Sequence, residues 1–136
     1  MTSQLNVDTI VDKAGSGGTN VKVANTSTYV SDGGTTTQNT VQGLAKAWLL
    51  ASNSASVTDS LNISGGTDNG TGNYTFAYSN SMGNSNYSPT ATTANDVSNF
   101  VLNTARATGS VQNKVSNDAG NLADDVTTAH ILGDLA

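Results

Sequence analysis

The sequence predicts an all-β fold: a small antiparallel β-sandwich head behind an extended N-terminal arm. Three observations predict it. Ser, Thr and Asn make up roughly two residues in five and Gly adds fourteen, so turn and strand formers abound while strong helix formers are scarce. Large and small or polar side chains alternate over short runs, most cleanly where Tyr74, Phe76 and Tyr78 are separated by Thr75 and Ala77. Such runs recur at roughly ten-residue spacing with polar turns between them, the pattern of a sandwich or small barrel. Hydrophobic residues are 35% of the chain, which predicts a thin core and a need for help from oligomerisation.

Residues 3–13 carry Leu5, Val7, Ile10 and Val11 at a spacing that fits neither a helix nor a strand, so they read as a short strand or an extended arm. A Gly/Ser turn at residues 14–19 precedes a brief strand, Val21-Lys22-Val23, and residues 25–40 are polar. Residues 1–42 are therefore expected to be an arm and linker that cannot fold alone, and residues 43–136 the head. Leu44 to Ala51, LAKAWLLA, has helix formers, but eight residues are too few to settle a helix, and the β context makes it a strand. Its alternation puts Lys46, Trp48 and Leu50 on one face and Ala45, Ala47 and Leu49 on the other.

The centre of the chain is Leu61 to Tyr87. Leu61 and Ile63 alternate with Asn62 and Ser64, so Val57 to Ser64 reads as one strand. Gly65 to Gly72 supplies the positive φ values of a reversal, and the strand of Tyr74, Phe76 and Tyr78 returns as the second half of a β-hairpin. Those aromatics are three of seven in the chain, so a sheet must cover them. Tyr87 to Thr93 is a further strand, and Pro89 places it at an edge or a strand start. Val97 to Ala107 contains Phe100-Val101-Leu102, a run consistent with burial on both faces. Val111, Asn113 and Val115 alternate with Gln112 and Lys114, and Val126 to Leu132 forms the last strand.

Composition bounds the chemistry. The net charge is −5, and all ten acidic residues are Asp. Five scattered basic residues on an acidic chain argue against nucleic acid as a partner. The absence of Cys excludes disulfides and thiolate metal sites. The opening MTSQLNVDTIVDK lacks the basic end and apolar run of a secretory signal, and no window approaches the ~18 apolar residues of a membrane span.

Few residues invite a catalytic or ligand-binding reading. His130 is the sole His, without the partner motifs of a triad or metal site, and is expected to be a strand residue facing a neighbour or solvent. Asp68-Asn69-Gly70-Thr71-Gly72-Asn73 resembles a Ca²⁺ loop only faintly, lacking a third ligand and the closing Glu, so a plain turn is expected. Asp124 and Asp125 are adjacent and would point to opposite faces of a strand, which suits solubilising loop charges better than paired acid–base work. Gly15 to Gly18 is not a phosphate loop, because no Gly-Lys-Ser/Thr follows. The sequons at Asn25, Asn62, Asn69, Asn73 and Asn86 are no more than this composition gives by chance. Trp48 lies in the most apolar stretch of the chain, which assigns it to the core; the other reading is a surface aromatic stacked on a sugar. No catalytic residue, cofactor-binding residue or metal ligand is predicted, and no enzymatic activity.

The segments AKAWLLA, DSLNIS, TDNGTGNYTFAY, MGNSNYSPTAT and HILGDLA, taken together, resemble the C-terminal domain of tail-fibre and tail-fibre-like virion proteins of tailed bacteriophages. SQLNVDTIVDKAGSGG resembles their N-terminal segment, and TDNGTGNYT is the most specific part of the match. The chain departs from that pattern at Ile131-Leu132, where an aromatic is common, and in a plain region between Ala91 and Ser110. The resemblance implies a homotrimeric fibre or spike subunit for host attachment, made in the host cytoplasm and carried on the virion. It further implies an N-terminal arm joined to another virion protein and a β-rich head turned outward, with a host surface glycan as a candidate partner. A capsid decoration or neck fibre protein would share fold and trimer. A glycan-degrading hydrolase would need a pair of carboxylates on a groove, which a chain without Glu and with Asp residues mainly in turns offers poorly.

Overall fold

The computed structural model describes residues 27–30, 37–95 and 99–133. They belong to two units, Met1–Val41 and Gln42–Ala136. In the first, β1 (Thr28–Val30) pairs antiparallel with β2 (Thr37–Asn39), a hairpin inside the stretch that reads only as polar in sequence. The expected strand at Val21–Val23 and the Gly15–Gly18 turn lie outside the described residues.

The second unit is all β. Its strands are β3 (Ala45–Ala51), β4 (Val57–Leu61), β5 (Ile63–Asp68), β6 (Asn73–Tyr78), β7 (Ser88–Thr93), β8 (Phe100–Ala107), β9 (Ser110–Ser116) and β10 (Thr127–Leu132). They form two four-stranded sheets, ordered β4-β3-β10-β7 and β5-β6-β9-β8, in which every pairing is antiparallel. Residues 44–51 are a strand, as expected, and β7 with Pro89 lies at a sheet edge.

One buried cluster joins the sheets. The first sheet contributes Ala47, Leu49, Ala51, Ala129 and Ile131; the second contributes Tyr74, Phe76, Tyr78, Val111 and Val115. Alanines with Leu49 and Ile131 on one inner face thus meet aromatics with two valines on the other, which lets a chain poor in large apolar residues reach a filled interior. Tyr74 and Phe76 pack with ring centroids 6.5 Å apart, and Tyr78 meets Tyr87 edge-on at 5.8 Å. Edge-to-face contact is the arrangement favoured by the ring quadrupoles. Tyr87 donates its hydroxyl to the Ser110 carbonyl at 2.7 Å, so the segment leading into β7 is tied to the opposite sheet.

Three sequence expectations are corrected here. Val57 to Ser64 is not one strand: it breaks at Asn62, which has φ 58° and hands the chain from the first sheet to the second. Asn tolerates the left-handed conformation, and its carboxamide repays the bend. Its Nδ2 donates to the Lys46 and Asn80 carbonyls, and its Oδ1 accepts from the Asn80 backbone at 2.7 Å. Next, the reversal between β5 and β6 is shorter than Gly65–Gly72: Gly65 and Gly66 pair with Ala77 and Phe76, and only Asn69–Gly72 turn. Gly66 is needed for closeness rather than for turning, since a Cβ there would collide with the Ala55 carbonyl oxygen and press on the Phe76 ring at 3.0 Å. Finally, Phe100-Val101-Leu102 is not buried on both faces. β8 is an edge strand, with Val101 packed against the core and Phe100 and Leu102 exposed.

Candidate functional site

The outer face of the β4-β3-β10-β7 sheet gathers the unusual side chains. Ala47, Leu49 and Ala51 point into the core, so the residues alternating with them, Trp48 and Leu50, point out. This corrects the core assignment of Trp48, which is half-buried on the outer face. Strand register then sets a row across the sheet: Leu61 opposes Trp48, Trp48 opposes His130, and His130 opposes Thr90. The next row is Asp59, Leu50, Thr128 and Thr92. Directly opposed side chains on one face lie close enough to touch, with Cβ atoms about 4.5–5.5 Å apart. An open groove of about 440 Å³ runs along β10 and β7, lined by Thr90, Ala91, Thr92, Thr128, His130 and Leu132.

This face carries little charge. Asp59 is its one carboxylate, at the β4 edge. Lys46 is buried, and its ammonium donates to the Leu44 carbonyl at 3.0 Å. His130 is exposed, as a strand His facing solvent and its neighbours should be. Among the described residues no three His, Asp, Glu or Cys side chains gather as metal ligands.

Three acidic residues are bound into the fold. Asp68 accepts from the Gly70 backbone N–H at 2.9 Å, the closed Asx turn of a hairpin, and Asn69 donates to Thr75 Oγ1 at 2.9 Å. Asp124 is an exposed loop residue, as expected, but it also ties the fold together, and Asp125 is buried rather than a solubilising charge. Asp124 accepts from the Gly72 N–H at 2.6 Å and from the Tyr74 hydroxyl at 3.0 Å, fastening the segment before β10 to the hairpin turn. The same Tyr74 hydroxyl proton is shared with the Asn53 carbonyl, 2.9 Å away. Burial first, and then the hydrogen bond and negative charge of Asp124, hold the Tyr74 phenol well above the ordinary tyrosine range. Asp125 is buried and accepts from Asn99 Nδ2 at 3.0 Å and from the Val126 N–H.

Two of these functions were missed in the sequence. The pinning role of Asp124 has no local signal, since Tyr74 is 50 positions away. The outward aim of Trp48 was already contained in the alternation of residues 45–51, and what was lacking was which of the two faces met the second sheet. Chemically, the outer face offers aromatic and aliphatic surface, hydroxyls, one imidazole and, at its β4 edge, one carboxylate. No family model matches the chain, and neither a curated protein nor a solved structure matches it.

Proposed function

We propose that this protein is a structural subunit of a tailed-bacteriophage particle, a homotrimeric tail fibre or spike component that works by assembly and surface attachment, without catalysis. The observation that carries the assembly part is where the large apolar side chains lie. Five of the seven leucines among the described residues, Leu44, Leu61, Leu102, Leu122 and Leu132, are exposed, and Phe100 is too. The core takes only Leu49 of these leucines and is otherwise built from alanines, aromatics, valines, Met82 and Ile131. Scattered single apolar residues on a surface are ordinary, but here Leu61 and Leu132 share the outer face of one sheet with Trp48 and Leu50, and Phe100 and Leu102 share the edge strand of the other; such groups mark protein contact. The virion part is supported by the likeness of TDNGTGNYTFAY and the flanking segments to tail-fibre proteins. The attachment of Asp68, Asp124 and Asp125 to neighbouring backbone and side-chain donors supports a structural use of the carboxylates.

Immuno-electron microscopy on purified particles tests the reading. Antibody against residues 43–136 should label fibres at the tail, three copies to each fibre. Label on the capsid shell or neck would move the protein to a decoration or neck-fibre role. Particles without label would remove the virion reading altogether.

A further inference from the structure

The geometry points to the outer face of the β4-β3-β10-β7 sheet as the surface on which copies of this chain meet. The inference rests on the assembly reading above and assigns it a place. Leu61, Trp48 and Leu50 are joined by strand register into one apolar strip, and Leu132 adds to it from β10. An aromatic centre with charged residues depleted around it is the composition of a protein interface core.

Charge selects a second copy as the occupant. Each copy carries a net −5, so self-contact is penalised wherever it brings carboxylates together. This face presents a single carboxylate, Asp59, and that one lies at its margin. β7 and β10 contain no Asp, Lys or Arg, and His130 is their one titratable side chain. The outer face of the other sheet shows small and polar residues across β5, β6 and β9, Thr67, Thr75, Ala77 and Gln112, and its exposed apolar residues, Phe100 and Leu102, lie beside Lys114 on the β8 edge rather than across the middle. A glycan is a poorer fit for the first face. Sugars are gripped by forked carboxylates and carboxamides, whereas the Trp48 row offers a Thr hydroxyl and an imidazole.

Size sets how strong the contact can be. Strands of about six residues rising ~3.4 Å each, four strands spaced ~4.8 Å, give a face of roughly 20 by 19 Å, about 400 Å² in projection. A stable interface buries about 800 Å² per partner. The face therefore reinforces an assembly that is also held elsewhere, acting at the high effective concentration the rest of the assembly provides.

The test is analytical ultracentrifugation of the full chain across concentration, with acrylamide quenching of Trp48 read in the same samples. Trp48 is the one Trp in the chain, so the signal reports this face alone. The variants are Thr90→Lys and Thr128→Lys, which set like charges against each other in the middle of a symmetric contact. Ala77→Lys, exposed on the other sheet, is the control. Circular dichroism melting confirms that each variant folds. The wild type should assemble with Trp48 shielded from acrylamide. Both face variants should raise the dissociation constant at least tenfold and unshield Trp48, and Ala77→Lys should do neither. A wild type that assembles while both face variants assemble equally well overturns the face and leaves the assembly reading standing. A wild type that stays monomeric at every concentration overturns the assembly reading, and the face with it. Shielding of Trp48 that appears only on adding dextran or mannan reassigns the face to sugar.

Discussion

Asn113 is the least expected residue in the core. It is fully buried on β9 between Val111 and Val115, and neither its Nδ2 nor its Oδ1 has a hydrogen-bond partner. A buried carboxamide left unpaired costs about 1–3 kcal/mol. Asn113→Val, smaller than Leu and without polar atoms, should therefore raise the urea midpoint without overpacking, and a drop in stability would mean that the amide is satisfied after all. Tyr74 is the opposite case, a buried polar group with partners. Its phenol ionises in the unfolded chain at the ordinary value of 10.0 but is held well above that in the fold, first by burial and then by the Asp124 carboxylate. Burial raises the Tyr78 phenol in the same direction. Where the folded value is the higher one, the folded state keeps the proton while the unfolded state releases it, so stability is complete below pH 10 and falls as pH rises beyond. Tyr74→Phe should cost about 1–2 kcal/mol at pH 7 through the lost bonds to Asn53 and Asp124. It should also flatten the decline between pH 10 and 11.5, measured as urea midpoint against pH. An unchanged slope would show that other groups govern alkaline unfolding.

The β4–β5 junction turns on one backbone angle. Asn62 is held at φ 58° while its side chain bridges β3 to the Asn80 turn. Asn62→Gly loses the bridges but keeps the conformation accessible; Asn62→Ala loses the bridges and adds a strained backbone. Ala should therefore be the worse substitution by about 1–2 kcal/mol, contrary to the usual ranking in strands. Equal effects would assign the bend to the hydrogen bonds alone. Why this junction hides in the sequence is physical: Asn62 occupies the polar slot of an alternating run, Leu61-Asn62-Ile63-Ser64, and period-2 patterning looks the same whether a strand continues or changes sheets. β6 and β9 were legible because their alternation is strict and one face of each is covered. For Trp48 and for Phe100-Val101-Leu102, apolar character predicted burial, but which face a strand buries is decided by the partner sheet, not by the strand. Asp124 was opaque for another reason, since its partners Gly72 and Tyr74 come from a distant hairpin.

Whether the whole molecule works as a trimer depends on what the first 42 residues do. Apart from Met1, their only apolar side chains larger than valine are Leu5, Ile10 and Tyr29, and in the β1–β2 hairpin Tyr29 and Val30 are exposed. Ordering one residue costs about 1–2 kcal/mol of backbone entropy, a sum that these side chains cannot offset within a single copy. A two-stranded hairpin is marginal by itself for the same reason. Thr-rich segments wound about a shared axis would gain contacts from each neighbour, and cyclic symmetry would pair the exposed edges. The head contributes a contact face too small to hold copies together unaided. Light scattering of the full chain and of a chain lacking residues 1–42 separates these contributions. The full chain should be a trimer, and the shortened one should dissociate to monomers on dilution while its melting curve keeps the head's transition. A trimer that survives the truncation would assign assembly to the head alone. A full chain that stays monomeric at high concentration, with an N-terminal segment that resists protease, would show that residues 1–42 fold without neighbours, and the entropic case for the trimer would fail.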